Sequence, residues 1–264
     1  MSGDTRLMAF VALAQPLTTT AQAVADRVQA RFGTTIRMSI TVPPPAAGGI
    51  LLVINGVAIP VLLIGAPLPP DTYVQALAVD RVWPEAKTAL AQHRAHAVVT
   101  TLAPVTTHGE ALDAAVYVTF VTAALMDLGP AIGVIWTNGD ALSEASAFQQ
   151  SADAMASRNL PVLNWMSLAI LQGPPSPAGK PTVAMYTTGL MPFIGREIEF
   201  EPTVWPATDV AQRVLSAAEY LMGRGLVIKD GDTLGVDANE KIKARYHDQG
   251  QRPGVPVLRL TAPV

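Results

Sequence analysis

The sequence of 264 residues contains no cysteine, and only 15% of its residues are charged. The lack of cysteine excludes disulfides, thiolate nucleophiles and cysteine-ligated zinc, and it is compatible with any redox compartment. The formal net charge of −3 at pH 7 provides no basic surface for nucleic acid or for an anionic membrane. We therefore expect neither nucleic acid nor a membrane as a partner.

The sequence also lacks the short motifs that identify common active sites. It has no G-x-S-x-G nucleophile elbow, no phosphate-binding G-x-x-x-x-G-K and no G-x-G-x-x-G after a strand. Among its histidines, His93 and His96 are three residues apart and share a face only if one helix contains both. We expect that helix to end near Arg94. Because a catalytic zinc needs three protein ligands, we predict no metal and no other cofactor.

Apolar residues, in contrast, are abundant and make up 50% of the chain, which is enough for a sizeable core. The start of the sequence resembles a signal peptide, with Arg6, an apolar run at 7–14 and a cleavage-like triplet at 21–23. Asp4 offsets the charge of Arg6, and the apolar run is short for a signal peptide. We therefore interpret the run as a first strand and expect a cytoplasmic protein.

The stretch 111–128 has nearly the length of a membrane span. It contains Asp113 and Asp127, whereas a spanning helix needs ~20 mostly uncharged apolar residues. We therefore predict a helix that is buried in the core of the protein.

The first hundred residues alternate between strand and helix patterns. A threonine at 18–20 is placed to cap a helix that runs through Arg31, and Asn55-Gly56 between two apolar runs is the strongest short-range signal for a β-hairpin. The resulting order, β-α-β-β-α-β with an extra hairpin strand, is ferredoxin-like. We predict an α+β fold in which this first half packs with a second α/β half into one sheet-rich body.

A Pro- and Gly-rich loop at 173–181 is the best internal boundary in the chain. We predict an N-terminal α/β part at 1–172 and a C-terminal α/β part at 182–264, which together form one compact unit.

Three local assignments depend on pattern alone. Ser143 is predicted to cap a helix that reaches Ser157, and the apolar run 160–172 fits either a strand or a helix. The later pattern predicts an amphipathic helix and then three short strands, at 207–224, 226–229, 241–246 and 256–261.

Residues 230–235 begin like a calcium-binding loop. Asp230, Asp232 and Gly235 occupy positions one, three and six of that template. Lys241 stands at position twelve, which should supply a bidentate glutamate. A cation in place of the strongest ligand disfavours calcium, so we interpret Asp230-Gly231 as a turn.

Two predicted strands carry opposite charges on one face, carboxylates on the first and cations on the second: Glu197, Glu199 and Glu201, and Lys241, Lys243 and Arg245. If the strands are neighbours, these charges pair across the sheet and stabilise it by roughly a few tenths of a kcal/mol per pair. The carboxylates could instead form a cation or acid–base site, since residues i and i+2 are ~7 Å apart. We favour the solvent face of a half-exposed strand. The cations then either pair with the carboxylates or remain free for a partner.

Five separated blocks resemble those of one bacterial protein family. The blocks are "VWPEA" at 82–86, "HRAHAVVT" at 93–100, "NLPVLNW" at 159–165, "MYTTGLMPFIGREIEF" at 185–200 and "VIKDGDTLG" at 227–235. The family they resemble is domain of unknown function 4261, and the blocks extend in order over nearly the whole chain. The resemblance implies a bacterial origin and a stand-alone domain, but no established activity, catalytic residue or cofactor. The Ala- and Pro-rich stretch 43–49 departs from the family, and we treat it as a variable loop.

Two functions are compatible with these observations. We favour a non-catalytic domain that binds another protein, such as an immunity or accessory factor in bacterial competition or secretion, because no coherent nucleophile, base or metal set is visible. The alternative is an enzyme or a small-molecule receptor with a pocket between the two halves, near His96, Tyr186 and the acidic strand. Nothing in the sequence indicates an oligomeric state.

Overall fold

The computed structural model describes residues 5–34, 37–44, 49–155, 159–237 and 240–263. Two predictions fall partly outside these ranges, namely the variable loop at its residues 45–48 and the helix end at Ser157. Within the described ranges the predicted α+β class is confirmed, because the fold consists of two β-sheets and several α-helices.

The first sheet has seven strands among the described residues, and all neighbouring strands are antiparallel. The strands are β1 (Met8–Leu13), β2 (Ile40–Thr41), β3 (Ile50–Ile54), β4 (Val57–Ile64), β5 (Ala95–Thr100), β6 (Ala131–Trp136) and β7 (Ala141–Glu144). They lie in the order β2-β3-β4-β5-β1-β6-β7. The ferredoxin-like order predicted for this half is not confirmed. β4 and β5 are adjacent and antiparallel, so no parallel crossover joins them.

The second sheet has six strands in the described part of the chain. They are β8 (Ser167–Gly173), β9 (Thr182–Thr188), β10 (Glu197–Thr203), β11 (Thr233–Leu234), β12 (Ile242–His247) and β13 (Val257–Thr261). Their order is β11-β12-β13-β10-β9-β8, and β10 and β13 are parallel. The Pro- and Gly-rich loop joins β8 to β9, whose ends pair at Gly173 and Thr182. The loop therefore connects two neighbouring strands of the second sheet.

The described helices are α1 (Ala21–Phe32), α2 (Val74–Val79), α3 (Ala86–Leu90), α4 (His108–Leu128), α5 (Ala145–Ala154), α6 (Val162–Trp165), α7 (Met191–Ile194) and α8 (Ala207–Arg224). The predicted cap of α1 is confirmed, since the Thr20 side chain accepts a hydrogen bond from the Ala23 N–H. The predicted range of α8 is also confirmed. The predicted Ser143 cap is wrong. Ser143 lies in β7, and α5 begins after Glu144 without a side-chain cap.

The predicted hairpin at Asn55-Gly56 is confirmed. β3 and β4 pair on either side of it, and both turn residues have the positive φ that a type I′ turn requires, 49° and 87°. The apolar run 160–172, for which either a strand or a helix was predicted, forms both in succession, first the helix α6 and then the strand β8. The prediction of a strand at 226–229 is wrong. The strand that pairs with β12 at this edge of the sheet is β11.

α4 is the central helix of the core. By length and composition it could cross a membrane, but 72% of its apolar window is buried inside the fold. The prediction of a buried helix is therefore confirmed. Its buried side chains belong to one cluster that includes Val11 and Leu52 of the first sheet and Phe200 and Leu258 of the second. One hydrophobic core thus connects the two sheets.

Candidate functional site

The glutamates of β10 do not lie on a solvent face. Glu197 is 2% exposed and Glu199 is 4% exposed, while Glu201 is half-buried. Glu197 is covered by residues 187–191, and Glu199 is covered by the loop 248–256 between β12 and β13. The prediction of a half-exposed strand is therefore wrong, because segments that are separate in sequence fold over these carboxylates.

Glu197 organises the turn between β9 and α7. Its Oε2 accepts a hydrogen bond from the Thr187 hydroxyl at 2.7 Å. Its Oε1 accepts hydrogen bonds from the N–H groups of Gly189 at 2.9 Å, Leu190 at 3.1 Å and Met191 at 3.2 Å. N–H groups at the start of a helix have no acceptor within the helix. Glu197 therefore caps α7 from the neighbouring strand.

Stability should depend on pH through Glu197. Burial raises the pKa of Glu197 above its ordinary value of 4.5, and the hydrogen bonds from Thr187 and residues 189–191 oppose this rise. The folded protein thus binds this proton more tightly than the unfolded chain, so the resulting stabilisation is lost as the pH rises through the folded-state pKa. We expect the difference in unfolding free energy between wild type and Glu197→Gln to shrink from about pH 4 to about pH 7. Urea denaturation at both pH values measures it, and a difference that grows with pH would contradict the assignment.

The predicted pairing between the two charged strands does not form. β13 lies between β10 and β12, so the cations of β12 are not opposite the glutamates of β10. Lys241 and Lys243 are exposed, and Arg245 pairs with Asp230 at 3.3 Å. That ion pair is itself exposed and therefore contributes little to stability.

Glu199 interacts with residues other than the predicted cations of β12. Its Oε2 accepts a hydrogen bond from Arg259 of β13 at 3.2 Å, and its Oε1 accepts one from the Gln251 N–H. Tyr186 of β9 is the cross-strand partner of Glu199 on the other side. Of the residues predicted to line a pocket, the structure thus brings Tyr186 and the acidic strand together.

His96, the remaining residue predicted to line that pocket, lies apart from this group. His96 belongs to β5 of the first sheet, where its Nδ1 lies 2.7 Å from the Ala66 carbonyl oxygen. Glu201 accepts a hydrogen bond from the Thr261 hydroxyl at 2.7 Å. The predicted set is therefore divided between the two sheets.

Asp230-Gly231 forms a turn, as predicted. Gly231 has a φ of 93°, and the Asp232 N–H donates to the Lys229 carbonyl at 3.1 Å. The Asp230 carboxylate accepts a hydrogen bond from the Tyr246 N–H at 2.8 Å, which ties the turn to β12. Within the described ranges, no group of three or more His, Asp or Glu side chains is arranged to hold a metal ion.

The two sheets meet at a contact between glycine backbones. Gly139 follows β6 and Gly189 follows β9. A Cβ at Gly139 would lie 2.1 Å from the Trp165 carbonyl oxygen, and a Cβ at Gly189 would lie 2.5 Å from the same atom. Since backbone atoms cannot move aside as a side chain can, glycine is required at both positions.

Four polar side chains converge beside this contact. Asp140 has a left-handed backbone, with a φ of 46°, and a half-buried carboxylate. Burial raises the pKa of Asp140, and the charge of Arg252 lowers it. Arg252 lies 4.0 Å from the Glu197 carboxylate and 5.6 Å from the centre of the Tyr186 ring. The sequence reasoning missed Asp140 and Arg252, because each lies in a loop without periodic pattern.

An apolar groove runs from Asp140 along the surface. It consists of three cavities of about 150, 310 and 150 Å³, and Leu163 lines all of them, so we name it the Leu163 groove. Val82 on one wall is 67% exposed, Leu163 on the floor is 44% exposed and Ile170 on β8 is 40% exposed. Leu215 of α8 lines two of the cavities. The groove is thus an apolar surface that the described parts of the chain leave open.

Asn164 lines the same groove and is only 5% exposed. Its Oδ1 accepts a hydrogen bond from the Ser143 hydroxyl at 2.9 Å. Its Nδ2 has no hydrogen-bond acceptor among the described residues. Buried polar atoms usually have a partner, so this amide is an exception that requires an explanation. The sequence reasoning assigned no role to Asn164, although it belongs to one of the five blocks.

A further cavity of about 410 Å³ lies between α8 and residues 227–236. Its charged groups are already engaged within the fold. Arg213 pairs with Glu240 at 2.9 Å, and Asp232 accepts a hydrogen bond from the Lys229 N–H at 2.8 Å. The charged groups of this cavity are therefore less available to a ligand than the carboxylates that line the Leu163 groove.

Fold and surface together define a two-sheet α+β protein with a buried acidic strand and an open apolar groove. The family model described as "Domain of unknown function (DUF4261)" matches residues 186–261. Over these residues the chain is similar to this family, which is the family that the five sequence blocks resemble. The matched segment includes Glu197 and Arg252, whereas Val82 and Leu163 precede it. Comparison with curated proteins and with solved structures finds no match.

Proposed function

We propose that the protein is a non-catalytic protein-binding domain and that the Leu163 groove is its binding surface. The observation that carries this proposal is the exposure of Val82, Leu163 and Ile170 around three neighbouring cavities that share Leu163. Apolar side chains that are exposed together, with polar residues at the margin, are typical of sites where another protein binds. A role as an immunity or accessory factor in bacterial competition or secretion stays a prediction.

The walls of the groove come from separate elements of the fold. Val82 follows α2, Leu163 belongs to α6, Ile170 to β8 and Leu215 to α8. Each of these elements is anchored in the core by its own buried residues, such as Trp165 beside Leu163. The groove is therefore present before a partner arrives, which lowers the entropy cost of association.

The alternative, an enzyme or a small-molecule receptor with a pocket between the halves, has weaker support. Tyr186 and Glu199 are neighbours, but His96 lies in the other sheet. The carboxylates of Glu197 and Glu199 accept several hydrogen bonds within the fold. These hydrogen bonds give both carboxylates a structural role, so the geometry supports the binding function better than a catalytic one.

Peptide display tests the proposed function. We expect the immobilised wild-type protein to enrich random peptides that carry large apolar side chains. Leu163→Glu should weaken binding of the enriched peptides by at least about tenfold, because a buried apolar anchor contributes about 1.5 to 3 kcal/mol and a carboxylate in its place resists desolvation. Dissociation constants from fluorescence anisotropy measure the loss.

Leu102→Glu is the matched control for this experiment. Leu102 is also exposed, and it lines none of the three cavities. Its replacement should leave peptide binding unchanged. The proposal fails if the wild type enriches no peptides, or if Leu163→Glu binds them as tightly as Leu102→Glu does.

A further inference from the structure

We propose that the Leu163 groove selects an extended segment of a partner protein in which a large apolar side chain is flanked by lysine or arginine. This inference rests on the proposed function and adds the chemistry of the partner. It is carried by the unengaged charges of the groove and, independently, by the buried amide of Asn164.

The unengaged charge of the groove is negative. Each cavity is lined by one carboxylate that has no hydrogen bond or ion pair among the described residues, namely Asp140, Glu219 and Glu144. Arg81 also lines the groove, but Asp80 lines the same cavity and offsets its formal charge, so the net charge of the lining side chains stays negative. The Asp80 carboxylate accepts hydrogen bonds from backbone N–H groups. A basic segment therefore complements the groove, and an acidic one is repelled.

The amide of Asn164 provides a hydrogen-bond donor for the main chain of the partner. Its Oδ1 accepts a hydrogen bond from Ser143, whereas its Nδ2 has no acceptor among the described residues. The acceptors that every extended peptide presents are its backbone carbonyls. Nδ2 has almost no accessible surface in the free protein, so a carbonyl of the bound segment would satisfy it after the Asn164 amide turns toward the groove. This bond would form whatever the side chains of the segment are. Asn164 therefore contributes to the affinity for any extended peptide, whereas the carboxylates determine the preference for basic peptides.

Two synthetic peptide pools of equal length test the charge selection. One pool combines leucine and valine with lysine and arginine, and the other combines leucine and valine with aspartate and glutamate. We expect the basic pool to bind at least about tenfold more tightly in fluorescence anisotropy, with a preference that weakens as salt screens the charges. Glu144→Lys combined with Glu219→Lys should remove about tenfold of that preference.

Asp113→Lys is the control for these charge reversals. Asp113 is exposed on α4 and lines none of the three cavities, so its reversal should keep the preference. Equal binding of the two pools would overturn the inference but not the groove, provided that Leu163→Glu still abolishes binding. If neither pool binds, the proposed function fails as well. Self-association of the protein that Leu163→Glu abolishes would overturn the inference in favour of a second copy of this chain.

The double variant Ser143→Ala with Asn164→Leu tests the main-chain hydrogen bond. It removes the amide, its orphan donor and the hydroxyl that pairs with it, so the melting temperature should be equal to or higher than that of wild type. Both pools should bind about tenfold more weakly, while the ratio of their Kd values stays unchanged. Unchanged binding of both pools would overturn the role of Asn164, because a purely structural amide would affect stability and not affinity.

Discussion

Glu197→Ala should lower the free energy of unfolding by about 3 to 5 kcal/mol, the largest loss expected for any single carboxylate in the second sheet. The substitution removes the acceptor for Thr187 and for three backbone N–H groups of residues 189–191. These donors are buried beneath the strand, so water does not readily replace the carboxylate. Since a domain of this kind is typically stable by about 5 to 15 kcal/mol, the loss is a large fraction of the total.

Glu201→Ala is the matched control for this prediction. Glu201 lies on the same face of β10, is half-buried and accepts one hydrogen bond, from Thr261 at 2.7 Å. Its replacement should cost about 1 kcal/mol. Urea denaturation of both variants measures the contrast, with Glu197→Gln expected between them because an amide keeps one acceptor oxygen. Similar losses for the two alanine variants would show that Glu197 does not organise the turn.

Gly189→Ala is expected to destabilise the protein by about 3 to 5 kcal/mol, for a steric reason. Gly189 has a φ of 121°, a conformation that side chains rarely adopt. A Cβ there would lie 2.5 Å from the Trp165 carbonyl oxygen and 2.8 Å from the Gly139 Cα. Both atoms are backbone, so the contact is relieved only if the two sheets move apart.

Gly254→Ala separates the two components of that loss. Gly254 also has a positive φ, 74°, but a Cβ there would meet no heavy atom of the described residues within 4 Å. Its replacement should therefore cost only the conformational part, about 1 to 2 kcal/mol. Urea denaturation of both variants compares them directly. If Gly189→Ala were no more damaging than Gly254→Ala, the close approach of the two sheets would be disproved.

Both predictions concern the segment that matches the family model. Glu197 and Gly189 connect the "TTGL" and "GREIEF" stretches, which are separated by only four residues in the sequence. The contacts of Glu197 and Gly189 indicate a structural role for both stretches, at the place where the two sheets meet. The proposed binding surface depends instead mainly on Val82, Leu163 and Ile170, which precede the matched segment.

The local elements were largely predictable from the sequence. The Asn55-Gly56 hairpin, the Thr20 cap, the buried helix α4 and the range of α8 were all confirmed. Each depends on signals within a few residues, such as turn chemistry, capping or helical spacing of apolar residues. The Ser143 cap was wrong because Ser143 belongs to β7, which pairs with β6. This strand pairing overrides the preference of serine for a helix cap.

The charged strands show where local pattern ceases to be informative. Alternation along β10 correctly separated Glu197 and Glu199 from Ile198 and Phe200, but a period of two cannot indicate whether the polar face meets water. Here a loop from between β12 and β13 and the turn after β9 cover that face. The groove around Leu163 was likewise not predictable, since its walls come from elements separated by many residues.

By itself, then, the sequence determined the α+β class, the similarity of residues 186–261 to one family and most of the helices and strands, because these follow from local chemistry and from a recognisable order of blocks. Only the tertiary structure decided that β13 separates the acidic strand from the basic one and that Asp140 and Arg252 converge with Glu197. It also decided that Asn164, beside an open groove, has a donor without a partner among the described residues. The physical reason is that the burial of a side chain and its hydrogen-bond partners depend on two segments in contact. A single segment does not specify which other segment will cover it.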